Sequence, residues 1–86
     1  MTNTNSPLTA QHVRHVAKAL DFLTNRASVI WVDASDREHT AVLRGWSTDA
    51  EDIRDRMVRI TRPTTEDEIP FSDIVDLVAD HRIALA

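Results

Sequence analysis

His12 and His15 stand three residues apart, a spacing that lets two imidazoles on one helix reach a common metal ion. A third ligand is missing nearby. His39 and His81 fall in other parts of the chain, and there is no cysteine at all. The pair therefore reads as two solvent-facing polar residues, and no metal is expected. Carboxylates cluster as Asp49, Glu51, Asp52 and as Glu66, Asp67, Glu68. Such groups can share general acid and base work only where burial or a close charge drives their pKa values apart. Both clusters fall in turn-like stretches, where water solvates them. The chain has no tyrosine, no glycine-rich phosphate loop and no Ser–His–Asp arrangement. Its residues point away from catalysis, and no catalytic residue and no cofactor is expected.

Binding is left as the function to look for. Trp31 and Trp46 are the two largest apolar groups, suited first to a small core and second to a partner surface. Charge is distributed unevenly along the sequence. Residues 63–86 carry six acids, Glu66, Asp67, Glu68, Asp73, Asp76 and Asp80, against Arg82 alone, and this segment makes the net charge −4. An acidic chain repels phosphate backbones, so nucleic acid is the weaker partner class. The basic series Arg54, Arg56, Arg59, Arg62 is matched in its own segment by Asp49, Glu51, Asp52 and Asp55, which suggests local charge pairing.

These residues must be held by one domain, because 86 residues are too few for two separate cores. Residues 1–7 are small and polar and read as a flexible tail before a single domain over 8–86. Val13, Val16, Ala17, Leu20 and Leu23 recur at helical spacing, which predicts a helix over 9–25 with Thr9 as N-cap and Asn25 as its stop. Strands are expected near 28–33, 39–46, 57–62, 68–71 and 74–79, with Gly45 marking a bulge or sharp bend. Thr48 to Glu51 matches a capping box, so a helical turn is expected between the second and third strands. Residues 72–82 also fit a second helix capped by Ser72. The absence of cysteine suggests the reducing cytosol, and Met1 to Ala10 lacks the pattern of a signal peptide. The longest strongly apolar run, Val29 to Val32, is far short of the roughly 20 residues that span a bilayer. A cytoplasmic protein with no membrane partner is the expectation.

Three stretches carry a resemblance. Leu43-Arg44-Gly45 looks like the hydrophobic-x-Gly element on the second strand of Sm-like small β-barrels. Asp55-Arg56-Met57-Val58-Arg59-Ile60 is similar to the Asp-x-Met stretch that opens their third strand. Glu68 to Leu77, with Ile69-Pro70-Phe71-Ser72-Asp73 at its centre, looks like their last two strands joined by a tight turn. The resemblance covers roughly residues 9–80. It implies an α+β domain, an N-terminal helix followed by a strongly bent five-stranded antiparallel sheet of the Sm-like or SH3-like small-barrel type. Where that family's RNA binders have an Asn after the Met, this chain has Val58. Where they have a basic turn, it has Ser72-Asp73, so the RNA-contacting residues do not carry over. In size, acidity and element order the chain resembles the Rof type of Sm-like protein, and over Ile69–Leu77 also the YolD-like small proteins. The Rof likeness implies a non-enzymatic regulator that binds the termination factor Rho without binding RNA itself.

The expected function is thus a regulatory module that binds a protein partner with a basic surface. On the five-strand reading, Glu68, Asp73 and Asp76 stand together at a sheet edge with Asp80 beyond, and face that partner. Trp46 and Phe22 are the apolar candidates. Leu8, Ala19 and Phe22 lie off the main helix stripe and are covered either by Ile83-Ala84-Leu85 or by a second copy, which leaves monomer and homodimer both open. The alternative is a weak RNA-binding Sm-like module acting through the arginine series.

Overall fold

The computed structural model describes residues 10–86, so the expected tail, Leu8 and the Thr9 cap lie outside the described residues. Helix α1 spans Ala10–Thr24 and is followed by strands β1 (Ser28–Val32) and β2 (Glu38–Trp46). A 3-10 turn (Ile53–Asp55) leads into β3 (Met57–Thr61) and β4 (Glu66–Pro70). Helix α2 (Phe71–Ala79) and a short strand β5 (Ile83–Leu85) complete the chain. The strands form one antiparallel sheet in the order β4-β3-β2-β1-β5, open between its two edges, β4 and β5. The fold is a small α+β domain with an N-terminal helix and five antiparallel strands.

The strand expected at 74–79 is instead α2, and the fifth strand lies further on, at 83–85. Phe71, Ile74, Val75 and Val78 follow a three-and-four spacing, and all four are buried on one side of α2. Strand alternation would have put Val75 on the face opposite Ile74 and Val78, and Asp76 on the same face as those two. Pro70 completes the change: it has no N–H to donate, and its ψ of 142° keeps it extended just before the first helical turn.

The inner face of the sheet is set by alternation. Val29 and Trp31 of β1, Ala41 and Leu43 of β2, and Val58 and Ile60 of β3 are buried together. Both helices pack on this face and against each other. The pairing shifts between Leu43 and Gly45, leaving Arg44 as an extra residue, and Gly45 has a φ of +143°. That conformation is open to glycine and strained for other residues, so the expected bulge falls on the one residue that can make it.

Helix α1 is rotated from its expected stripe. Ala19, Phe22 and Leu23 are buried, Val16 and Leu20 are partly so, and Val13 is 49% exposed. Ala19 has only a methyl group, which permits close approach to α2 and the sheet. The helix stop also moves: Arg26, not Asn25, takes the left-handed conformation with φ 50°. Arg26 and Ala27 donate their N–H groups to the carbonyls of Leu23 and Phe22, the paired bonds of a Schellman end. The helical turn after β2 comes later than the Thr48 box: Asp52 caps it by accepting the Arg54 N–H.

Phe71 is fully buried and meets Trp46 edge-on with ring centroids 5.1 Å apart. Phe71→Ala should cost about 3–5 kcal/mol in urea unfolding, whereas Val13→Ala at the exposed helix end should cost under about 0.5 kcal/mol. Near-equal losses would place Phe71 outside the core.

Candidate functional site

Burying Phe71, Ile74, Val75 and Val78 obliges the other side of α2 to face outward. That side carries Asp73 and Asp76, with Asp80 at the helix end, all exposed. Together with Leu77 they line a groove of about 470 Å³. Across it stand Trp31, Val32, Asp33 and Ala34 at the end of β1, with Ile69 of β4 completing the apolar part. Trp31 and Ile69 both belong to the inner face, so the curved sheet brings two non-adjacent strands to one groove.

The groove is acidic. Asp33, Asp73, Asp76 and Asp80 line it against Arg82, and Arg82 is already engaged. Its guanidinium donates to the Asp33 carbonyl at 3.0 Å and lies 3.6 Å from the Asp36 carboxylate. Burial, and then the neighbouring Asp76 charge, raise the Asp73 carboxyl above its usual pKa, although it sits in the first turn of α2. A cation in the groove would oppose both causes.

Asp33 is held by a different arrangement. Its carboxylate accepts from the His39 ring at 2.7 Å and from the backbone N–H groups of Ser35 and Arg37 at 2.8 and 3.0 Å. The other His39 ring nitrogen faces the Arg62 guanidinium at 3.3 Å. Arg62 also lies over the Trp31 ring at 5.6 Å and approaches Asp67 at 3.7 Å. His39 stacks on Trp31 with centroids 5.3 Å apart. This network fixes one wall of the groove.

The expected acidic edge is therefore divided. Asp73, Asp76 and Asp80 come together along α2, but Glu68 does not join them. Glu68 lies on the outward face of β4 opposite Arg59, where its carboxylate accepts from the Ser47 hydroxyl at 2.6 Å. Its neighbour Ile69 points inward, and alternation keeps the two apart. Trp46 is half-buried between Phe71 and the Arg56 guanidinium, which lies 5.3 Å from its ring. Trp31 is buried, as core packing requires. Phe22 is buried with Lys18 over its ring, and Ile83, held on β1 by strand pairing, packs on the same core.

The arginine series is mostly engaged by its surroundings. Arg54 makes a two-pronged contact with Asp52, and Arg56 reaches the Ala50 carbonyl and Asp49. Arg59 stands exposed on the outward face of β3. Among the described residues, no three His, Asp or Glu side chains gather closely enough to hold a metal ion, and no helix is long and apolar enough to cross a membrane. Sequence reasoning missed Trp31, Asp33 and Leu77 as groove residues. The one signal was Asp33 at the mouth of a polar turn. Compared with protein-family models, curated proteins and solved structures, the chain matches none.

The Asp33 carboxyl is lowered to about 2, with the His39 hydrogen bond as the largest cause. A lowered carboxyl stabilises the fold above its ordinary pKa, and that contribution disappears as pH falls through about 2. In a ¹³C-detected titration His39→Ala should move the Asp33 midpoint up toward 3.8. An unmoved midpoint would mean that His39 does not hold this carboxylate.

Proposed function

We propose that this chain is a non-catalytic regulatory module that docks, through the acidic α2 groove, on an arginine- or lysine-rich surface of a protein partner. The single observation behind this reading is the placement of Asp73, Asp76 and Asp80 along one side of α2, above an apolar lining of Trp31, Ile69 and Leu77. An arginine or lysine side chain has matching chemistry, a long apolar stem and a cationic head. Charge of one sign around a groove also speeds encounter with a partner of the opposite sign.

The likeness to Rof-type Sm-like proteins supports the same reading. It rests on size, acidity and element order, with α2 standing where the last strand of that layout was expected. It suggests a partner whose basic surface otherwise holds nucleic acid. A small-barrel description of the sheet, a cytoplasmic location and a monomeric or homodimeric state belong to this proposal too. Direct RNA binding is the second reading, and exposed Arg59 beside Arg44 on the outward sheet face is what favours it.

A hexa-arginine peptide serves as a probe for the first reading and a short oligo-U for the second. The peptide should bind in the groove with an affinity that falls as salt rises from 50 to 300 mM, by roughly tenfold for a few charge contacts. Asp73→Asn with Asp76→Asn and Asp80→Asn should weaken it at least about tenfold, the scale of a single lost charged contact. Equal binding by both proteins would remove the groove from the account. Salt-sensitive oligo-U binding that is lost in Arg59→Ala would put the RNA reading in its place.

A further inference from the structure

A second concavity lies where α1 meets the end of α2, and its lining has the opposite charge. Arg14, His15 and Lys18 of α1 and His81 of the α2–β5 turn line a space of about 260 Å³, with Val78 and Ile83 as its apolar part. Among the described residues no acid lines it, in a chain whose net charge is −4.

Nothing in the fold requires cations here. Arg14 and Lys18 are four residues apart, so they share a side of α1 and repel. Among the described residues, ion pairs engage His39, Arg54, Arg56, Arg62 and Arg82 but none of these four. Capping of α2 does not need them either. Its last carbonyls are satisfied by the backbone: Arg82 N–H donates to Leu77 at 2.8 Å and His81 N–H to Val78 at 3.1 Å. The Lys18 ammonium lies over the Phe22 ring, at 5.8 Å, one turn further along α1.

His81 brings a ring to the concavity from the turn after α2. It occupies the left-handed position after α2, with φ 57°, where glycine is the usual residue. Arg26 takes the same conformation after α1, with φ 50°. At His81 the left-handed turn sets the imidazole at the rim of the concavity.

We infer that this concavity binds a small phosphomonoester. Its ester phosphate carries close to two negative charges at neutral pH and three acceptor oxygens. Arg14 and Lys18 supply permanent charge and donors, and His15 and His81 supply ring N–H groups. Val78 and Ile83 offer room for a short apolar body. The volume lies below the roughly 300–1,000 Å³ of sites that enclose drug-sized ligands, so the ligand is small.

The test is a ¹H–¹⁵N titration at pH 7 and constant ionic strength with inorganic phosphate, n-propyl phosphate and acetate. Both phosphates should give saturating shifts at residues 14–18 and 81–83, with n-propyl phosphate severalfold tighter, and acetate should not saturate. Arg14→Gln with Lys18→Gln changes exposed positions and should raise the Kd for n-propyl phosphate at least tenfold. His81→Gly relieves the left-handed conformation, so it should weaken binding severalfold while raising the melting temperature. Scattered shifts that never saturate, or a Kd unmoved by these substitutions, would overturn the site.

Discussion

The change from strand to helix at Pro70 and Phe71 places everything that follows it. Pro70 is the last residue of β4, opposite Met57, and Phe71 donates its N–H to the Arg56 carbonyl at 2.9 Å. That bond and the buried Phe71 ring anchor the start of α2 to the sheet. Nine residues are fewer than the ~12–15 an isolated helix needs for stability in water. Burial makes up the difference, at about 1.5–3 kcal/mol for each large apolar side chain removed from water. With Phe71, Ile74, Val75 and Val78 inward, the aspartates have one place left to go. The turn after α2 then delivers Ile83 to β1, where it pairs with Trp31.

The two surface concavities follow from this anchoring. The outward side of α2 and the end of β1 form an acidic groove, and the far end of α2 meets α1 in a basic one. Segregating the charges costs something locally. Asp73 keeps its proton more readily than an ordinary aspartate, and Arg14 repels Lys18. The Asp33–His39–Arg62–Asp67 network shows the contrasting arrangement, in which each charge or ring meets a partner and one groove wall is fixed. Partnered charges position this fold, and crowded like charges line its two concavities.

Local signals made much of the fold legible. The periodicity of α1, the β-branched run of β1 and the lone glycine of β2 each led to an element within one or two residues of its observed bounds. Residues 71–79 were harder, because Ile74, Val75, Leu77 and Val78 fit a buried strand as well as a helix, and only contact with α1 and the sheet decides between them. The register of α1 on the core depended on the same contact. For the candidate site, the acids of α2 were visible as a run without bases. Their separation from Glu68 was not, since it follows from the helix. Trp31 and Asp33 are about forty residues from α2 in sequence, and no local pattern could announce that they face it.

The most direct test of this arrangement is an NMR measurement of the backbone ¹³Cα and ¹³Cβ shifts of residues 71–80, together with contacts from the Phe71 ring. Helical shifts through Ala79, and cross-peaks between the Phe71 ring and the Trp46 indole, are the expected result, given ring centroids 5.1 Å apart. Extended shifts at 74–79, with cross-strand contacts from this segment to β4, would contradict it. The aspartates would then return to a sheet edge beside Glu68, and neither groove would exist in the form described.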